Sequence, residues 1–202
     1  MREIGIIMAA YVLGSIPSAY IASRLLGSAD PRTVGSGSMG GLNVLRNVGI
    51  APGILTGAID VAKGYAAARL AVAVTSAGRP DSGAGFIHAL AGIAAVAGHD
   101  WMLFMKFKGG KGVATSLGVY LALLPWAVPI LVALIAVSWL ALRDAYAATT
   151  AGYWVLAPML WRTGLASRCV SGKAACMILC AGIAVLVTVK FAPGAGWRRR
   201  VR

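Results

Sequence analysis

The amino-acid sequence predicts an all-α, polytopic membrane bundle. Three observations carry that reading. Of 202 residues, 59% are hydrophobic and only 12% are charged, where a soluble domain carries about 25% charged residues. Mean hydropathy is +0.79. The apolar residues also fall into long stretches, divided by loops rich in glycine and basic residues. Six acidic residues cannot keep so apolar a surface in water, so the bulk of the chain is expected to face lipid.

Seven candidate helices follow in order: Glu3–Ser23, Gly53–Ala77, Ala84–Met105, Val113–Trp126, Val128–Leu142, Ala145–Trp161 and Lys173–Ala192. The first lacks a strong basic n-region and a following small-residue cleavage site, so it reads as a retained span and not a signal peptide. The second carries Asp60 and Lys63, three apart on one face and able to pair. Charges within the bilayer are costly and usually functional. Here they form either a structural ion pair or a lysine that reaches toward a site. The third holds His88, expected to pack, and His99 beside Asp100 near its end. Val113–Leu142 would be one long helix but for Pro125 and Pro129, which favour a break into two short ones. If the short segments are re-entrant, the count falls to five spans. Cys169, Cys176 and Cys180 match no zinc or redox spacing and read as small apolar packing residues. Residues 1–192 are expected to form one membrane domain, and 193–202 a basic cytoplasmic tail.

The net charge is +13. Nucleic acid is not the expected partner, because the bases lie between apolar segments and not on one polar domain. They orient the chain instead. With the N-terminus outside and the C-terminus inside, the inner face holds twelve: Arg24, Arg32, Arg46, Lys106, Lys108, Lys111, Arg143, Lys190, Arg198, Arg199, Arg200 and Arg202. The outer face holds five: Arg2, Arg79, Arg162, Arg168 and Lys173.

Two inner loops carry the chemistry. The first reads GSGSMGGLNVLR from Gly35 to Arg46. Gly35 and Gly37 let backbone N–H groups turn toward an anion. Ser36 and Ser38 offer hydroxyls, Asn43 an amide and Arg46 a bidentate fork matched to phosphate oxygens. The GxGxxG spacing is present, but membrane helices flank it, which excludes a dinucleotide fold. The second loop runs from Lys106 to Ser116 and contains Lys108, Gly109, Gly110, Lys111, Gly112 and Thr115. It opens a helix, whose N-terminus favours anions, and its lysines deepen the positive potential. The P-loop spacing is absent. His99 is a candidate general base or phosphate ligand.

These residues bring the chain to a known family. Gly14-Ser15-Ile16-Pro17-Ser18, the first glycine loop, Asp60-Val61-Ala62-Lys63-Gly64 and Gly98-His99 followed by Phe107 to Thr115 resemble the bacterial PlsY family, the acyl-phosphate:glycerol-3-phosphate acyltransferases. The likeness covers roughly residues 10–120. It implies a seven-span bundle in the bacterial inner membrane with its active site toward the cytoplasm. It implies transfer of a fatty acyl group from acyl phosphate to the 1-hydroxyl of sn-glycerol 3-phosphate, giving lysophosphatidic acid, the first acylation of phospholipid synthesis. Ser36, Arg46 and His99 take catalytic places by position. Gly35, Gly37, Ser38, Asn43, Lys108, Gly109, Gly110, Lys111, Gly112 and Thr115 take substrate-binding places. No metal or cofactor is implied. The implied partners are the two substrates, membrane lipids and the soluble enzyme that makes acyl phosphate.

The chain departs from that pattern in several places. Ser38 stands where asparagine is usual, Gly41-Leu42 where alanine-threonine is usual, and Met102 replaces a proline. The serines of the third motif fall at Tyr146 and Thr149, and the family's C-terminal His, Asn and Glu are not recognisable. These changes leave open a divergent relative with altered substrate or no activity. A small anion transporter is a third class, disfavoured because no repeat symmetry is evident. An acyltransferase of the histidine–four–aspartate type is excluded, since Ile93 and Phe104 follow the two histidines at that spacing.

Overall fold

The structure, a computed structural model, describes residues 1–76 and 83–191. Among them the regular elements are all helical: α1 (Arg2–Gly14), α2 (Ser18–Leu25), α3 (Gly41–Asn47), α4 (Ile50–Ser76), α5 (Ala84–Asp100), α6 (Val113–Leu123), α7 (Ala127–Leu142), α8 (Ala145–Arg162) and α9 (Lys173–Phe191), with 3-10 turns at Leu103–Met105 and Leu165–Arg168. Arg79, the helix ends at Ala77 and Ala192, and the basic tail lie outside the described residues.

In lipid there is no hydrophobic drive between helices, so close approach depends on small residues. The bundle is built that way. Helix α4 packs on α6, and α1 on α5. A side chain on Gly64 would run into the Thr115 carbonyl, and one on Gly118 into that of Val61. Gly14 and Gly98 hold α1 against α5 in the same manner, each facing a carbonyl of the other helix. Helix α9 closes the bundle by packing on α5 and α8. The core at these seams includes Tyr120, Leu123, Leu131, Tyr153, Leu156, Leu179 and Ile183, all fully buried.

Three helical stretches among the described residues are long and apolar enough to cross a bilayer by themselves: Arg2–Leu25, Ala84–Met105 and Lys173–Phe191. The expected break between the two proline-bearing short helices is present, at Leu124–Trp126.

The first expected helix is corrected in one respect. It is two helices, interrupted at Ser15–Pro17. Pro17 has no N–H and its ring disfavours a continuous ladder, so α2 starts afresh at Ser18 with a backbone bond back to Ile16. A second addition is α3, a short helix inside the first glycine loop, which the sequence pattern does not announce. It lies on the N-terminal part of α4, where Gly53 leaves no room for a side chain beside Leu45.

Candidate active site

The break in the first helix organises what lies beneath the site. The Ile16 carbonyl, in the break before Pro17, accepts from Lys63 Nζ at 2.9 Å as well as from the Ser18 N–H. Lys63 also pairs with Asp60 Oδ1 at 2.8 Å, and the two side chains are 3% and 1% exposed. Ser18 Oγ donates to the same carboxylate oxygen. Asp60 and Lys63 therefore form a structural ion pair, tied to the broken helix and not reaching into an open site. His99 Nδ1 stands 3.2 Å from Asp60 Oδ1, off a good hydrogen-bond line.

The second glycine loop lies on the end of α5. Gly110 N–H donates to the His99 carbonyl at 3.0 Å. A side chain on Gly110 would strike His99 Nε2, and one on Gly109 would strike the His99 carbonyl. Gly112, at φ +72°, turns the chain into α6 and passes the buried Asp100 carboxylate. His99 is 2% exposed. It lies under the loop, with one ring nitrogen toward Asp60 and the other toward Gly110, and does not face the open side expected of a catalytic base.

The first loop is held by Asn43. Its Oδ1 accepts from the Ser36 N–H at 3.0 Å and lies 3.2 Å from the Ser36 hydroxyl. Its Nδ2 donates to the carbonyls of Pro31 at 3.1 Å and Ser38 at 2.9 Å. Asn47 adds a bond to Asn43 Oδ1 at 3.1 Å. The Asn43 amide, expected to bind substrate, is thus committed to the shape of the loop. Gly35 and Gly37 have φ of +56° and +68°, so glycine is needed at both. Ser38 Oγ accepts from Gly40 N–H at 3.3 Å.

The two loops meet. A side chain on Gly40 would touch Gly110. Below that point Met39 and Val44 of the first loop pack with Met102 in a small buried cluster. Met102, one of the departures, fills this space. Ser36, Arg46 and Lys108 are left exposed around the junction, with Lys111 half-buried. Thr115 is completely buried, with its carbonyl against Gly64, so it belongs to the α4–α6 seam.

One residue at the site stands outside the expected set. Tyr146, near the start of α8, accepts from Lys111 Nζ at 3.0 Å. The ammonium stands 4.2 Å from the Tyr146 ring centre and 4.5 Å from that of Phe191. The rings meet edge to face at 4.9 Å. Burial, with the Arg46 charge adding to it, pulls the Lys111 ammonium down to about 8 from 10.5. Arg46 and Lys111 therefore share one electrostatic site, although they come from different loops. Thr149 bonds its own helix, at the Ala145 carbonyl, 2.7 Å away. From Tyr146 an apolar groove of about 400 Å³ runs between α8 and α9, lined by Ala147, Thr150, Ala151, Trp154, Thr188 and Phe191. Among the described residues, no group of His, Cys, Asp or Glu is gathered as a metal site.

A family model described as glycerol-3-phosphate acyltransferase matches residues 4–195. The chain belongs to that family. It is 48% identical over 125 residues to glycerol-3-phosphate acyltransferase 1 of Moorella thermoacetica, a match covering 62% of this chain and 60% of that one. It is 45% identical over 118 residues to the glycerol-3-phosphate acyltransferase of Prochlorococcus marinus strain MIT 9301, covering 58% and 56%. The matched stretch thus spans under two thirds of these relatives' length. Among solved structures, PlsY (YgiH), an integral membrane glycerol 3-phosphate acyltransferase, is similar in its glycerol 3-phosphate form, with TM-score 0.74 and 29% identity over 94% of this chain and 88% of that one. Its lysophosphatidic acid form gives TM-score 0.75 and 27% identity over 95% and 89%. The chain shares that integral membrane, helical-bundle fold.

Proposed function

We propose that this protein transfers a fatty acyl group from acyl phosphate to the 1-hydroxyl of glycerol 3-phosphate, releasing lysophosphatidic acid and phosphate. The observation that carries the reading is the junction of the two glycine loops. It brings Lys111 and the Arg46 charge together beside Tyr146, where an apolar groove begins, with Ser36 and Lys108 exposed on the same two loops. Two phosphorylated substrates, one with a long apolar tail, need that combination.

The acceptor oxygen adds to the acyl carbonyl carbon, and the bond from that carbon to the phosphate oxygen breaks. The phosphate leaves with the electron pair, and the hydroxyl proton passes to it or to water. An acyl phosphate is already activated, so the protein's work is positioning and charge stabilisation. Arg46 and Ser36 serve the developing charge, and Lys108 and Lys111 with the second loop hold the acceptor phosphate. His99 becomes a positioning residue that supports Gly110. The acyl chain enters the α8–α9 groove from the bilayer. The reading includes seven spans, the bacterial inner membrane and a cytoplasmic site, where a soluble acyl-phosphate-forming enzyme would deliver the donor.

The test is acyl transfer by the purified protein in lipid, with palmitoyl phosphate and glycerol 3-phosphate, against palmitoyl-CoA as control donor. Lysophosphatidic acid from the acyl phosphate alone is expected. A folded sample that forms none overturns the reading.

A further inference from the structure

The apolar surface beside α8 is divided in two. The first groove lies between α8 and α9 and starts at Tyr146. A second, of about 480 Å³, is lined by Trp154, Val155, Pro158, Met159, Arg162 and Thr163. Trp154 is the one residue that lines both. Its indole N–H donates to Thr188 Oγ1 at 2.9 Å across the α8–α9 seam, while the Thr188 hydroxyl donates to the Ala184 carbonyl at 2.7 Å. In hydrocarbon an indole N–H needs a partner, so this bond holds the ring at the α8–α9 seam, where it lines both grooves. The ring stands eight residues beyond Tyr146, roughly 12 Å along the helix at 1.5 Å per residue.

We infer that Trp154, pinned by Thr188, is the residue that limits the length of acyl chain the site accepts. The inference rests on the acyl-phosphate reading above. Charge and shape select the occupant: cations at the mouth take the phosphate end, and apolar walls take the tail. A tail that reaches Trp154 either stops there or must displace the ring. Truncating the ring joins the two grooves and lets a longer tail continue toward Pro158.

The experiment compares kcat/KM for lauroyl, palmitoyl and stearoyl phosphate in the wild type, Trp154→Ala and Thr188→Val, all purified in lipid. A single methylene in an apolar pocket is worth roughly ten-fold in discrimination. The stearoyl-to-lauroyl ratio is therefore expected to rise at least about ten-fold in Trp154→Ala. Thr188→Val keeps the side-chain shape and only unpins the ring, so its ratio should move in the same direction by a smaller factor. It also keeps the test decisive if Trp154→Ala does not fold. An unchanged ratio in a folded, active variant overturns the inference and leaves the acyltransferase reading standing. Absence of product from every acyl phosphate in the wild type instead overturns the acyltransferase reading itself.

Discussion

Lys111 is the residue at which burial and charge act together. Its ammonium is drawn down to about 8 from 10.5, first by burial and then by Arg46. A lowered lysine in the folded chain means that the charged form is disfavoured by folding. Stability therefore rises as pH climbs from about 8 toward 10.5, while the charge that a phosphate needs is lost over the same window. The KM for glycerol 3-phosphate is expected to rise above pH 8 or so, and Lys111→Arg, which keeps its charge, should remove that inflection. A flat KM up to the ordinary lysine range would take Lys111 away from the phosphate. Arg46→Ala and Lys111→Ala should each lower kcat/KM by roughly 100-fold or more, the scale of one lost charge-stabilising donor. Folding must be checked alongside by thermal unfolding. Near-normal turnover in both would remove the loop junction from the chemistry.

At the scale of elements, the helix broken at Pro17 and the pair on α4 are one device. Lys63 donates to the Ile16 carbonyl in the break and neutralises Asp60, which in turn faces His99 under the glycine loop. Lys63→Met removes one partner of a buried pair, a change that costs about 3–5 kcal/mol. The expected result is a marked loss of thermal stability with an unchanged KM for glycerol 3-phosphate. Unchanged stability with a raised KM would place Lys63 at the substrate instead. The same elements show what the sequence could and could not disclose. The helix order was readable because apolar stretches near bilayer length have few alternatives. The break at Gly14-Ser15-Ile16-Pro17-Ser18 was passed over because apolar residues resume at Ala19 and the whole stretch has the length of one span, and α3 was not readable, since seven residues of glycine-rich loop carry too little periodicity. Arg46 and Lys111 stood out because phosphate chemistry prefers their types. The depth of each side chain was invisible: His99 under Gly110, Asn43 turned into its loop and Thr115 in a helix seam are facts of packing. Tyr146 showed only as a departure at a third-motif serine place; its contact with Lys111 depends on α8 passing beside the second loop.

For the whole molecule, the two ends of the bundle differ in charge, and that sets which way it faces. Helix α8 starts beside Lys111 and ends at Arg162, and α9 returns from Lys173 to Phe191 beside the same lysine. An eighteen-residue helix spans roughly 27 Å, close to the hydrocarbon thickness of about 30 Å. The Lys173 ammonium lies 3.8 Å from the Trp161 ring centre at the far end, and Lys190 lies 4.8 Å from that of Trp101 nearer the site. Such aromatic and basic pairs suit the two membrane–water interfaces. Arg46, Lys106, Lys108, Lys111 and Arg143 cluster toward the site end, and Arg162, Arg168 and Lys173 at the other. The richer end is expected on the cytoplasmic side by the positive-inside rule. Arg24→Cys and Ser167→Cys, both at exposed positions, provide the test with a membrane-impermeant maleimide. Background from Cys169 should be slight, because its hydrogen bond with Cys176 and its burial push the thiol well above the usual cysteine range. In intact cells the reagent should label the residue 167 position and spare the residue 24 position, and inverted vesicles should reverse the pattern. If intact cells instead label position 24, the loop junction faces outward, away from any cytoplasmic source of acyl phosphate. A cytoplasmic delivery partner would then be untenable even if the purified protein still made lysophosphatidic acid.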